Sequence, residues 1–263
     1  MLSKAPRQPA RLWRRGTRGA LLTLSLWLAG TGFASANETI TSARFIDPTN
    51  RYPHAVLGDD IEYGGLEISV ENTALPSLLW QDLAYRRTTQ FVRLPLDRVF
   101  EDLEPRLADV DSDGSNEVIV VETSVHEGAQ LAIYNARGEK IAATPHIGTR
   151  FRWLAPIGAA DLDGDGNVEI AFIDRPHLAK TLRIWRYENG DLTEIAAIPG
   201  LTNHKIGEDF ISGGIWDCGA RPRLILASAD WSRIIAVIYA GDWTKRDLGP
   251  LHSADSLKAA LTC

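Results

Sequence analysis

The chain of 263 residues has only two cysteines and none of the short motifs that announce common chemistry: no G-x-S-x-G, no H-E-x-x-H, no P-loop and no G-x-G-x-x-G behind a strand. Without them there is no visible nucleophile–base pair, zinc-protease helix or phosphate cradle. Long apolar runs are missing as well. The strongly apolar stretch Ala20–Gly30 falls well short of the roughly 20 residues a bilayer requires. Low complexity is absent too, since 44% hydrophobic and 24% charged residues are ordinary for a folded domain.

Positive charge is scarce after the first 36 residues. That segment holds six cations (Lys4, Arg7, Arg11, Arg14, Arg15, Arg18) and no acid, so 22 of the 28 basic residues remain against all 34 acids, a formal charge of −12. Such a surface repels nucleic acid and anionic lipid and suits cations or neutral partners. The segment reads as a signal peptide: an Arg-rich start, a short apolar stretch, then Ala34-Ser35-Ala36 as cleavage site. Arg14-Arg15 lacks a fuller twin-arginine context, so general secretion is the expected route. Residues 37–263 then form a periplasmic or extracellular chain without a membrane span, expected to be a monomer. In that compartment Cys218 and Cys263 are expected to pair. Closing their 45-residue separation contributes up to about 4 kcal/mol by chain entropy.

Repeats organise the rest. RLADVDSDGSNEVIVVE and GAADLDGDGNVEIAFID match, with loop aspartates at Asp109 and Asp161, 52 residues apart. Weaker copies are GDDIEYGGLEISVE, aligned on Asp59, and GGIWDCGARPRLILAS, aligned by placing Ile215 on Asp161. In the last copy the acidic positions become Ile215, Asp217, Gly219 and Arg223. After each of the last three loops come short runs rich in Val, Ile, Leu and aromatics, bounded by turn residues: VIVVETS, AQLAIYNA, EKIAATP; VEIAFID, TLRIWRY, LTEIAAIP; RLILASAD, RIIAVIYA, WTKRDLG. With an approach strand, each unit has four strands. Four strands recurring every 40–50 residues predict an all-β fold, a small β-propeller of four to five blades spanning residues 37–263, with loops near 59, 109, 161 and 215. A β-sandwich with acidic turns is the structural rival. The segment Ile40–Pro48 is expected to close the last blade, and Ser253–Leu261 reads as a Ser-capped helix.

The two strong loops carry acids at positions 1, 3, 5 and 9 and Gly at 6: Asp109, Asp111, Asp113, Glu117 and Asp161, Asp163, Asp165, Glu169. Position 7, Ser115 or Asn167, offers its backbone carbonyl. Hard oxygen donors without a soft ligand suit a cation taking 6–8 oxygens, and outside the cytosol that is Ca²⁺, at two sites. An EF-hand is excluded because position 12 is Val120 or Phe172 rather than Glu. No cation is interleaved in either loop, so four converging carboxylates would repel one another without an ion.

Two D-x-D-x-D-G-x-x-E loops between strands of a fifty-residue repeat resemble the FG-GAP repeats of integrin α-subunit propellers and the related VCBS repeats of bacterial secreted proteins. The resemblance implies that each loop joins the first two strands of a blade and that the residues named above hold the ion. The chain departs from that pattern in having no ion expected in its first and fourth units and too few repeats for the seven-bladed integrin ring. As a whole the chain is similar to bacterial exported propeller proteins of no assigned activity.

Histidines offer a separate candidate. His54, His146 and His204 each precede a loop, with Arg150, Glu208 and Asp209 nearby in sequence. His54, His146, Arg150 and His204 could line a ligand-binding channel mouth, or the histidines could simply bond loop backbones. Arg175, His177 and Lys180 read as a solvated turn. Two functions therefore stand: a calcium-stabilised binding or adhesion module for a protein or glycan ligand, and an exported hydrolase or lyase using the channel cluster. The absence of a nucleophile–base pair favours the first.

Overall fold

The computed structural model describes residues 38–72, 87–219 and 221–263; the expected export segment, residues 1–36, lies outside the described residues. Among the described residues the chain is all-β apart from one short helix. The first unit contains β1 (Glu38–Thr49), β2 (Glu62–Asn72) and β3 (Arg87–Arg93). After the short β4 (Arg98–Phe100) the second unit has β5 (Arg106–Ala108), β6 (Glu117–Ser124), β7 (Gly128–Tyr134) and β8 (Lys140–Ala143). The third has β9 (Leu154–Ala160), β10 (Val168–Asp174), β11 (Thr181–Glu188) and β12 (Asp191–Pro199). The fourth has β13 (Leu201–Thr202), β14 (Gly214–Trp216), β15 (Arg223–Ser228), β16 (Arg233–Tyr239) and β17 (Trp243–Pro250), followed by α1 (Ala254–Ala260). All nine strand-like runs read from the sequence after the acidic and degenerate loops are strands.

Pairing is antiparallel throughout, and neighbours in sequence pair in each unit. The third unit is a plain four-stranded meander, β9-β10-β11-β12. In the fourth, β13 and β14 both pair with β15, as β4 and β5 both pair with β6 in the second. Each of these split edges is one interrupted first strand, which in the third unit runs unbroken as β9. A single pair, Tyr63 with Phe100, joins the first two units into one eight-stranded sheet.

The sheets stack through a file of apolar layers. Leu66, Ile68 and Val70 of β2 meet Val118 and Val120 of β6. The other face of β6, with Ile119 and Val121, packs with Leu131 and Ile133 against Ile170 and Phe172 of β10. Ala171 and Ile173 then meet Leu224 and Leu226 of β15. Alternation explains this: successive side chains point to opposite faces, so a strand between two layers must be apolar on both. Accordingly β6 and β10 are buried along their whole length. The first-strand edges of the third and fourth sheets come so close that a Cβ on Gly158 of β9 would lie 2.9 Å from the Ile215 side chain of β14.

The ends of the file differ from its middle. The outer face of the fourth sheet, with Ile225, Ala227 and Ala236, is covered by α1 through Leu257. Ser253 caps that helix, as its sequence implied. Cys218 and Cys263 form the expected disulfide, with a Cα–Cα distance of 5.6 Å, and tie the chain end to the fourth loop. On the first sheet the pairs Arg44–Glu67 and Arg93–Asp47 face solvent. The expected closing strand is a correction: residues 40–48 pair with β2 from Ile40–Val70 to Pro48–Tyr63 and not with the last sheet, because Ile40 joins the apolar layer between the first two units.

Register also corrects two alignments. The last residue of each first strand pairs with the first residue of the second: Thr49 with Glu62, Ala108 with Glu117, Ala160 with Glu169, Trp216 with Arg223. The residue matching Asp161 in the fourth unit is therefore Asp217 rather than Ile215, and its loop is two residues shorter. The first loop starts at residue 50, so Asp59 lies near its end and Glu62 takes the place of Glu117 and Glu169.

Glu62 is buried, and burial together with the fields of Glu101, Asp59 and Asp102 pushes its pKa well above the carboxylate range. The unfolded chain releases that proton near pH 4.3, so this contribution to stability is complete below that pH and is lost as pH rises towards the folded pKa. Glu62→Gln should therefore raise the melting temperature at pH 8 and change it little at pH 4; an equal or opposite change at the two pH values would contradict the assignment. Replacing both cysteines by serine should lower stability by up to about 4 kcal/mol, read from urea denaturation.

Candidate metal centres and an aromatic cleft

Both acidic loops are built by the same hydrogen bonds. Asp109 accepts the N–H groups of Asp113 and Gly114 at 3.1 and 3.0 Å; Asp161 accepts those of Asp165 and Gly166 at 3.1 Å each. Asp113 accepts Ser115 N–H at 2.8 Å, and Asp165 accepts Asn167 N–H at 2.9 Å. Glu117 and Glu169 turn back to accept the N–H of Val110 at 3.0 Å and of Leu162 at 2.9 Å. The side chains of Val110 and Leu162 are buried in the flanking apolar layers, which anchors each loop at position 2. Gly114 and Gly166, with φ of 90° and 94°, make the left-handed turn that returns the chain to position 9.

Positions 1, 3 and 9 converge. Asp109, Asp111 and Glu117 bring carboxylate oxygens within 4.8 Å of one another, and so do Asp161, Asp163 and Glu169. Either cluster is able to hold a metal ion. Asp113 and Asp165 stand outside these triplets, with one oxygen engaged by the backbone two residues on.

The clusters differ in charge balance. In the first, burial and the neighbouring Asp111, Asp113 and Asp109 push Glu117 up to about 7, against the hydrogen bond from Val110. Asp111 is raised as well, by burial and by Asp113. Among the described residues no cation pairs with this cluster, and its all-oxygen donors fit a hard divalent ion. In the second, Arg186 of β11 donates from Nε to Glu169 at 2.9 Å, from Nη1 to Asp165 at 2.9 Å and from Nη2 to Asp163. The expectation that no cation offsets either loop is thus corrected for the second. Its physical reason is register: Arg186 lies directly opposite Glu169 across the β10–β11 pair, although 17 residues away in sequence. An ion fits the second cluster only where Arg186 vacates it.

A second feature surrounds the first loop. Residues 50–61 carry His54 and Val56 to a cleft of about 250 Å³ with Phe151, Trp153 and His177 on its wall, and buried Tyr52 packs on the Phe151 ring at 5.0 Å. Buried Glu101 receives His54 Nδ1 and, at 2.6 Å, the hydroxyl of Thr123. Arg150 lies 4.4 Å over the Phe151 ring, and His204 stands edge-on to Trp153 at 5.0 Å. His204 Nε2 donates to the Glu208 carbonyl at 2.9 Å, so its Nδ1 is the acceptor for His177 Nε2 at 3.0 Å. Burial and the neighbouring His204 and His54 press the His177 pKa down to about 4, and burial lowers that of His204.

Three of the four residues suggested for a channel mouth, His54, Arg150 and His204, gather here. His146 does not: its Nδ1 donates to the Gly128 carbonyl at 2.8 Å, beside Arg98. His177, read from sequence as part of a solvated turn, is half-buried in the cleft wall. Nothing in its local text signals this, because β9 and β10 deliver it from 27 residues before His204. Lys180, from the same stretch, donates to the Ala229 carbonyl at 2.6 Å.

No helix among the described residues is long and apolar enough to cross a membrane. No curated protein matches the chain. Residues 109–172, which run from the first acidic loop through the second and into β10, match the family described as FG-GAP-like repeat.

Proposed function

We propose that the protein is an exported calcium-binding module, with its four units acting as propeller-type blades in an open stack, that recognises a protein or glycan partner. The observation that carries this reading is that the two acidic loops open onto one cleft of about 410 Å³. Val110–Ser112 of the first loop, Gly166 and Asn167 of the second and the β11–β12 turn at Tyr187–Gly190 line it. An ion seated among Asp109, Asp111 and Glu117 would stiffen one wall of that cleft without entering it. The disulfide and the FG-GAP-like segment support export and an interaction role, and calcium is the hard cation abundant outside the cytosol.

At an affinity of about 10⁻⁴ M, ordinary for extracellular modules, millimolar calcium stabilises by about 1.4 kcal/mol per filled site. That raises the melting temperature by about 3–6 °C per site for a domain of this size. Melting in calcium and in chelator should show this rise, and Glu117→Gln should remove the part owed to the first loop; superimposable curves for the unaltered protein would discard calcium. On a glycan and peptide array, binding should depend on calcium and fall at least about tenfold in Tyr187→Ala, which strips the aromatic wall from the cleft.

A second reading attaches to the aromatic cleft. His54 is oriented by a buried carboxylate, which is how a general base is held, and this favours an exported hydrolase or lyase there. Turnover on a broad panel of ester, glycoside and uronide substrates that disappears in His54→Gln would support it over pure binding.

A further inference from the structure

Resting on the metal reading of the loops, we infer that Arg186 is a built-in competitor for the second cation site, so that the two loops take calcium unequally and the first fills first. The guanidinium contacts Asp163, Asp165 and Glu169, the acids at positions 3, 5 and 9, which are the oxygens an incoming ion needs. Its planar fork of five donors can satisfy several carboxylates at once, as a small hard cation does by coordination. The Arg186 side chain is 22% exposed, while that of Glu169 is fully buried, so the pair is shielded from salt more than a surface pair would be.

Comparison of the units shows that this is a property of one repeat. By continuation of the β6–β7 register, the residue facing Glu117 is Asn135, which is neutral and donates instead to Glu139 at 2.9 Å. In the fourth unit position 9 is itself a guanidinium: Arg223 stands where Glu117 and Glu169 stand, 4.4 Å over the Trp216 ring. Along the chain the same centre is thus open, then filled by a side chain, then replaced by one. Arg221, from the shortened fourth loop, adds to the second case. Its guanidinium lies against Gly164, within about 3 Å of where a Cβ would sit, and donates to the Tyr239 carbonyl at 3.3 Å. A calcium ion reaching the second loop must displace Arg186 and approach a second positive group.

The consequence reaches the shared cleft. The second loop has its charges paired internally when calcium is scarce, whereas the first, held in the same shape by its backbone hydrogen bonds, keeps its carboxylates unpaired until an ion arrives. Calcium then grades one wall of the cleft against a fixed opposite wall.

Calorimetric titration of calcium into residues 37–263, freed of metal, tests this. The unaltered protein should bind one ion, with any second at least about tenfold weaker. Arg186→Asn, which copies Asn135, should bind two ions of comparable affinity, and Arg186→Lys, which keeps one charge but loses the fork, should fall between. Glu117→Gln should lose the tighter event alone. Two equal sites in the unaltered protein, or a weak second site unmoved in both Arg186 variants, would overturn the competitor role and leave the metal reading standing. No calcium heat from either the unaltered protein or Arg186→Asn would overturn the metal reading and the inference with it. Circular dichroism of each variant guards against loss of fold.

Discussion

Neutralising carboxylates inside a stack of sheets is the constraint on which the rest of this structure depends. A carboxylate removed from water is costly unless a cation, a set of donors or a proton accompanies it. Each buried acid meets that demand in its own way. Glu122 of β6 is held below its ordinary pKa despite burial, because Lys140, Tyr134 and Arg98 all reach it. Asp174, five residues beyond Glu169 as Glu122 is five beyond Glu117, is likewise lowered against burial by Arg175 and Arg183. Asp102 has Arg106, and Glu101 has His54 and Thr123. Glu62 keeps a proton, and the first acidic loop is left with only backbone N–H groups.

Repetition supplies the positions and local register supplies the partners. The second strand of each unit begins with the residue that closes the loop, and its neighbour across the next pairing decides what that residue meets. Asn135 and Arg186 sit at the same place in two copies of one hairpin, yet one leaves a carboxylate cluster open and the other fills it. The buried anchors Val110 and Leu162 hold both loops in the same shape, so the difference is one of charge and not of backbone.

The file of sheets ends differently at its two extremities for a related reason. A sheet with an apolar outer face must be covered, and the fourth is covered by Leu257 of α1, held near by the disulfide. The first needs no cover, because Arg44–Glu67 and Arg93–Asp47 make its outer face compatible with water. Terminal repeats with a polar or capped face are what stacked-repeat architectures need for solubility.

Much of the fold was legible in the sequence, since strand periodicity, turn residues and a fifty-residue repeat are local signals; the nine strands after the loops and the Ser253-capped helix follow from them. The acids of the candidate site were legible for the same reason, as Asp109–Glu117 and Asp161–Glu169 lie within one loop each. What failed were long-range assignments. A strand at residues 40–48 can pair with any open edge, and only the apolar layer shared by Ile40 and Val70 chooses β2. Ile215 and Asp217 differ by one full strand repeat of two residues, so either alignment keeps the same faces. The chain by itself therefore determined which segments are strands and which loops are acidic, because both depend on neighbouring residues. Tertiary structure alone decided which acid meets which cation, placing Arg186 on Glu169 and Arg98 on Glu122, because charges act through space and those separations are set by packing.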